Sequence, residues 1–458
     1  MKGRRMYRTG NSNTFFSSIV RYTLSTTGSG LARLALACLV ATPALAAAPS
    51  AQRVAGSKPG LWYWTLPTTA NKLQPVQSWS GAAGAPNGDI YVAGMNHVDN
   101  AALYRLPPAG GDATKPGLTL RYVGDAKAAS QAVGNWQPGE PIEKFHTQPV
   151  WQGTGVYVAN LNYSLLDSTY LDLRGFHWYG YDWKSGKFRD LSVTEPGGVG
   201  APHGGLLSLT VDRSRNRIYG AASPTGDIYS YDIGSAKTTL LGRPDYKRPY
   251  VYAGRAMWMS STGRLYFTAG SNGSAKYGAP YDPAIFNHVH YYDPASGFGE
   301  EKGWALHDQR AIDSAQCFGS PRTCYLMDNV GHVYRYAEAK AAKASWSYLG
   351  SIGQKQDEKY GYAWVFHVRG DQKKAYILAR RGQLFEFDLA TGAAKPVVNL
   401  YTHEPALKNL DLYGSNAWDA QGRFYFTAFP KPGFAAKNTK LVAIDPTRFL
   451  AGVKQFGR

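Results

Sequence analysis

Seven times between residues 77 and 450 the chain returns to the same pair of strands. The first strand of each pair has a small–x–aromatic core: GDIYVAG at Tyr91, GVYVANL at Tyr157, NRIYGAA at Tyr219, GRLYFTAG at Tyr266, CYLMD at Tyr325, KAYILAR at Tyr376 and GRFYFTA at Tyr425. The second follows as ALYRLPP, HWYGYDWKSGK, DIYSYDIGSAK, VHYYDPASG, HVYRYAEAK, QLFEFDLATG and KLVAIDP, mostly ending in Asp and a turn rich in Gly, Ser or Ala. Aromatic and β-branched residues alternating between turn signals read as antiparallel strands. The seven tyrosines are separated by 66, 62, 47, 59, 51 and 49 residues, the span of a four-stranded repeat. One such sheet cannot bury both its faces, but a ring of them can. The sequence therefore predicts an all-β fold: a seven-bladed β-propeller of four-stranded antiparallel blades. It forms a single domain over 47–458, with regular structure starting near Lys58. The segment GLWYWTL at 60–66 is expected to add a strand that closes the ring with the C-terminus, and no amphipathic helix is expected outside the leader.

The leader is residues 1–46. Six basic residues and no acid precede or enter the apolar stretch LARLALACLVATPAL at 31–45, and Ala44, Leu45 and Ala46 give a small–x–small cleavage pattern. This is the layout of a secretory signal peptide, and the apolar stretch is shorter than the roughly 18 residues of a spanning helix. Cleavage lowers the net charge from +18 to +12. The expected product is secreted or periplasmic, monomeric and not membrane-bound. It is basic and rich in aromatics, with 32 Tyr and 12 Trp. Export, and the lack of a helix-turn-helix, zinc-finger or basic-helix pattern, argue against nucleic acid. They favour an anionic polysaccharide as partner.

In a propeller the strands of each blade run from a, nearest the axis, to d at the rim. Entries to strand a and the b–c loops share one face, here called upper. The a–b and c–d turns share the lower face. This sorts the polar residues. The upper face receives His146 and Gln148 from blade 2, His203 from blade 3, Arg255 from blade 4, Tyr362 from blade 6 and Asn416 from blade 7. Long b–c loops end at His177 in blade 2 and at His288 in blade 4. Loops on a rigid scaffold are the usual seat of function. Any one of these histidines also has a reading as a hydrogen-bonded filler. Arg255 needs an anion, either a protein carboxylate or a substrate. Tyr246, Tyr250 and Tyr252 read as aromatic packing or as a sugar platform with an acid/base hydroxyl. Asp182, Asp232, Asp293, Asp388 and Asp445 fall at c–d turns and are expected to form Asx-turns. No carboxylate pair of the glycosidase kind is evident on the upper face.

Cys317 and Cys324 flank the turn between strands a and b of blade 5. In an exported chain they are expected to form a disulfide. The zinc alternative is weaker because His288, His290 and His332 map to the other end of the blades.

The stretches KFHTQPVWQGTGVYVANL and GFHWYGYDWKSGKFRDL, then HGGLLSLTVDRSRNRIYGAASPTGDIYSYD and YAGRAMWMSSTGRLYFTAGS, resemble seven-bladed propeller polysaccharide lyases of the ulvan lyase type, over roughly residues 140–300. The resemblance implies β-elimination at a uronic acid. It places His146 and His177 as the rim histidines that transfer protons, and Arg255 as the cation neutralising the carboxylate. The catalytic tyrosine would be one of Tyr246, Tyr250 and Tyr252. His203, Gln148, Tyr362 and Asn416 would line the substrate path. No redox cofactor or nucleotide is implied, and a structural metal ion stays open. A propeller glycoside hydrolase of the rhamnosidase kind and a non-catalytic glycan-binding propeller are the competing functions, because fold alone separates none of the three.

Overall fold

Each of seven antiparallel sheets runs in sequence order from the axis outward, and the last is completed by the start of the chain. The computed structural model describes residues 59–456, apart from 70, 80, 97, 99, 109–116, 118, 143, 163–170, 248–249, 252, 270–287, 308–310, 341, 354–361 and 432–438. The leader read as a signal peptide and Tyr252 lie outside the described residues. The inner strands, a, are Ala82–Gly84, Val150–Gln152, Gly205–Asp212, Trp258–Met259, Ile312–Phe318, Ala363–Val368 and Leu410–Trp418 in blades 1 to 7. The predicted seven-bladed architecture is the one observed.

Closure follows the expectation for GLWYWTL. Leu61–Thr65 pairs antiparallel with Lys440–Ile444, from Leu61↔Ile444 to Thr65↔Lys440, and becomes strand d of blade 7. Leu61, Tyr63 and Trp64 are buried by this pairing. The core lies between successive blades rather than at one centre. Between blades 4 and 5, for example, Trp258, Tyr266, Trp304, Tyr334 and Tyr336 pack together. The Asp turns form as expected: Asp182 accepts from Ser185 N at 2.7 Å, Asp232 from Ser235 N at 2.8 Å and Asp388 from Thr391 N at 2.8 Å.

Among the described residues, besides the four-residue helix Leu400–His403, two longer helices correct the expectation that no amphipathic helix would form outside the leader. Helix α1, Ala126–Ala132, follows blade 1 and is capped by Asp125, whose side chain accepts from Ala128 N. Helix α2, Pro446–Phe456, follows blade 7. Asp445, read as a turn residue, instead accepts from Arg448 N at 3.0 Å in its first turn. Helix α1 is too short for a clear 3.6-residue period, whereas α2 carries one in Phe449, Val453 and Phe456 that the sequence reading passed over. Each has a carboxylate N-cap that the sequence reading assigned to a turn, or did not use. Phe449 is buried, and Leu450 and Val453 pack against the core of blades 6 and 7.

Blade 2 is irregular in a way that matters. Its inner edge is split into Lys144–Phe145 and Val150–Gln152, both paired with Gly155–Leu161. Pro149 has no N–H to keep the ladder going across this gap. Thr147 replaces the missing bonds with its side chain: Oγ1 donates to Ala159 O at 3.2 Å and accepts from Ala159 N at 3.1 Å. The break turns His146 and Gln148 toward the neighbouring blades.

Candidate functional site

The upper mouth of the axis is lined by aromatic rings around a guanidinium. Arg255 sits just before strand a of blade 4. Its flanks are fixed by Gly254 N donating to Thr268 O at 2.8 Å and Ala256 N donating to Ile312 O at 3.2 Å. Gly254 permits this approach, since a Cβ there would lie 2.5 Å from Thr268 Oγ1. The Arg255 guanidinium lies 5.8 Å from the Trp79 ring, 5.7 Å from Trp364 and 5.4 Å from Tyr413. Its NH1 donates to the Tyr413 hydroxyl. Trp364 and Tyr413 come from the inner strands of blades 6 and 7. Those strands touch because residue 414 is Gly: a Cβ there would overlap Trp364 O. Trp79 packs edge-on to Tyr413 at 5.1 Å, and Tyr362 stacks on Trp364 at 5.1 Å. Arg380 also lies 5.4 Å from the Trp364 ring and is held by Asp411. Trp364 and Tyr413 are buried within this cluster, so the mouth offers a ligand the half-buried Arg255 cation and the half-buried Trp79 and Tyr362 rings, with the Tyr413 hydroxyl beside the cation.

His177 is not part of this mouth. It is fully buried between α1 and blade 2, with Nδ1 2.8 Å from Asp190 Oδ2 and Nε2 2.8 Å from Glu140 Oε1. Burial favours the neutral ring, but hydrogen bonds and charge from Asp190 and Glu140 outweigh it and raise the His177 pKa. Burial likewise opposes, and the imidazolium outweighs, in holding Asp190 and Glu140 below the usual carboxylate range. Asn135 donates to Asp190 at 2.9 Å and Gly198 O at 2.7 Å, and Ser130 donates to Asp190 at 2.7 Å. Arg174 closes the cluster on Glu140 at 3.0 Å. An imidazolium with both nitrogens engaged and no exposed surface has no lone pair to offer a substrate. The cluster instead ties α1, blade 2 and the segment entering blade 3 together.

The remaining sequence-selected residues are dispersed. His146 is buried, with Nδ1 3.3 Å from Leu207 O of blade 3. Gln148 Nε2 donates to Ala82 O of blade 1 at 3.0 Å. His203 is exposed, and its Nδ1 lies 3.0 Å from Leu173 O. Tyr246 is buried against Val251, Ala269 and His290, and burial pushes its phenol far up. Tyr250 is half-buried. Asn416 lies on the inner strand of blade 7, and its side chain is outside what is described. Of the proposed set, the structure brings Arg255 and Tyr362 to one mouth. The sequence reading missed Tyr413 and Trp79. Their only signal was position near a strand-a entry, which the reading used for blades 2, 3, 4, 6 and 7 but did not extend to them.

Cys317 and Cys324 are joined by a disulfide across the first hairpin of blade 5. Among the described residues no group of three or more His, Cys, Asp or Glu is placed to hold a metal ion. In a lower-face cleft of about 510 Å³ between blades 4 and 5, Arg264 pairs with Asp293 and Lys343 with Glu301.

No family model matches the chain, and no curated protein matches it. Among solved structures, YCF48 bound to a D1 peptide aligns with a TM-score of 0.49 and 10% identity, covering 88% of this chain and 99% of that one. A luciferin-regenerating enzyme aligns with a TM-score of 0.38 and 10% identity, covering 65% of this chain and 89% of that one. Neither transfers a residue role to this chain.

Proposed function

We propose that the chain is an exported lyase that takes a uronate-containing polysaccharide, ulvan-like in its glucuronate and rhamnose, at the upper mouth and cleaves it by β-elimination. The observation that supports this most is the Arg255–Tyr413 pair among three aromatic rings. Arg255 holds the uronate carboxylate and stabilises the charge that develops there as C5 loses its proton. Tyr413 enters the step as the phenolate, stabilised by the Arg255 guanidinium that donates to its oxygen, and takes the proton to become the phenol. The C5–H electrons form the C4=C5 double bond, the C4–O bond breaks, and the departing oxygen receives a proton from the tyrosine. Trp79 and Tyr362, the half-buried rings of the mouth, carry the sugar rings. His177, expected to transfer protons, is assigned to the scaffold because its ring is sealed between two carboxylates.

That same sealing favours a second reading, a glycan-binding propeller without catalysis. Incubating the purified chain with a panel of uronate polysaccharides separates the two. Ultraviolet absorbance from unsaturated uronate supports the lyase. Binding with no unsaturated product supports the second reading, and a saturated reducing-end product points to a hydrolase.

A further inference from the structure

The lower-face cleft between blades 4 and 5 is a cavity that neither the upper mouth nor the His177 cluster uses. Blade 4 lines it with Ser261, Thr262 and Arg264 from its a–b turn, and blade 5 with Ser320, Lys340 and Lys343 from and beside its own lower turns. The buried rings of Tyr266 and Tyr336, 5.3 Å apart, close its floor. Its volume of about 510 Å³ is that of a small-ligand site.

The hydrogen-bonding capacity of this cleft is lopsided. Glu338 Oε1 accepts from Ser261 N at 2.7 Å and from the Tyr336 hydroxyl at 2.8 Å, and Oε2 accepts from Arg322 N at 2.9 Å and from the Ser261 hydroxyl. A carboxylate takes about four such bonds, so Glu338 ties the two blades together and has nothing left for a ligand. Glu301 is buried, and Arg264 and Lys343 hold one oxygen each, at 3.3 and 3.1 Å. With Glu338 fully paired, these two carboxylates supply no acid and base for hydrolysis, and the cleft is one that binds rather than cleaves. The donors are less fully used. Lys343 has a single carboxylate partner for its ammonium group. Lys340 is exposed and, among the described residues, pairs with no carboxylate. Ser261, Thr262 and Ser320 are exposed and add hydroxyls to the same cleft. Cationic donors in excess of acceptors suit an anion, and hydroxyls that both donate and accept suit a polyol.

We propose that this cleft is a second binding site, for an acidic sugar residue, in which Lys340 and Lys343 take the acid group and the hydroxyls of Ser261, Thr262 and Ser320 take those of the ring. That the acid is a uronate rests on the reading of the upper mouth, whereas the cleft itself asks only for an anion on a hydroxylated ring. The site gives a polyuronate a non-catalytic hold away from Arg255, on the opposite face of the disc.

The test is lysine acetylation of the full chain, read site by site by mass spectrometry, with a hyaluronan hexasaccharide, which repeats glucuronate, with neutral cellohexaose, with inorganic sulfate and with no addition. Acetylation of Lys340 and Lys343 should fall with the hexasaccharide and stay unchanged with the other two. In calorimetric titration, Lys340→Glu should weaken a hexasaccharide binding event by about tenfold or more, the loss of a charge-assisted bond and its replacement by repulsion. Lys340 is exposed, so this variant should melt with the wild type. Arg255→Gln should leave the protection of both lysines intact. Protection that persists while the wild type yields no unsaturated uronate keeps this site and removes the lyase reading. Equal acetylation with and without the hexasaccharide overturns the proposal, as does Lys340→Glu binding within about twofold of wild type. Equal protection by cellohexaose or by sulfate also overturns it, because the cleft then selects only a ring or only a charge.

Discussion

His177 Nδ1 and Asp190 Oδ2 meet at 2.8 Å with neither side chain exposed to solvent, and the other ring nitrogen meets Glu140 at the same distance. Two carboxylates around one imidazole carry a net negative charge, which Arg174 on Glu140 offsets. Asn135 and Ser130 satisfy the oxygens that remain. A network so completely paired is stable only as a unit. It explains how a segment of loops and a short helix between blades 1 and 3 is held to the sheets.

Removing the ring should therefore cost stability well beyond its own packing. His177→Ala leaves two buried carboxylates facing each other, and loss of one partner of a buried ion pair typically costs about 3–5 kcal/mol. Denaturant midpoints should show a loss of this size. A loss under about 1 kcal/mol would mean that the cluster is open to water.

The same cluster gives stability a two-sided pH dependence. His177 titrates higher in the fold than in the unfolded chain, so its contribution is complete below the usual histidine range and is lost as pH rises through its raised value. Asp190 and Glu140 titrate lower in the fold, so theirs is complete above the usual carboxylate range and is lost as pH falls through their lowered values. Melting temperature against pH should fall on both flanks in the wild type. His177→Gln should remove most of the alkaline flank. A wild-type profile flat through the alkaline flank would remove the charged ring from the account.

The fold was legible because every blade repeats its own tyrosine strand and Asp turn, so seven weak signals reinforce one another. The closing strand was legible because the alternation in LWYWT has nowhere else to be buried. The site was legible only in part. Arg255 stood out as a cation at a strand-a entry, and its neighbours did come from other blades. Tyr413 lies 158 residues away in sequence, and that separation carries no local signal. His177 misled for the opposite reason. Its place at a loop end put it on the rim, while Asp190, at the end of the outer strand of the same blade, and Glu140, 37 residues earlier, sealed it inside.

Closure by Leu61–Thr65 should be essential to cooperative folding. Without it, strand Lys440–Ile444 is an exposed edge, and exposed edges pair with other chains. Leu61 is 1% exposed, and a charge there has no partner. Leu61→Asp should cost on the order of 4 kcal/mol or more and shift the protein toward aggregates in size-exclusion chromatography. A monomeric variant with an unchanged melting temperature would show that blade 7 does not need this strand.

The Cys317–Cys324 bridge should leave no free thiol in a chain that lacks residues 1–46. Thiol counting under denaturing conditions checks it. The bridge closes a short loop with a sequence separation of 7. Its entropic contribution is modest, about 2–3 kcal/mol on the chain-entropy estimate. Cys317→Ser should lower the melting temperature without abolishing the fold, since the hairpin is also held by the strand ladder from Ile312↔Asp328 to Phe318↔Thr323.

The sharpest chemical prediction separates Tyr413 from the histidines. If the phenol beside Arg255 moves the proton, Tyr413→Phe keeps the ring packed against Trp79 and Trp364 and removes only the hydroxyl. The rate on a uronate polymer should fall by about 10²–10⁴, with KM nearly unchanged and melting behaviour close to wild type. Arg255→Lys keeps the charge but loses the planar fork that grips a carboxylate through two bonds, so KM should rise and the rate should fall together. His146→Ala should cost less than about tenfold, because its ring is buried against Leu207 O rather than presented at the mouth. The reverse pattern, with Tyr413→Phe active and His146→Ala dead, would move the chemistry from the axis to the break in the inner strand of blade 2.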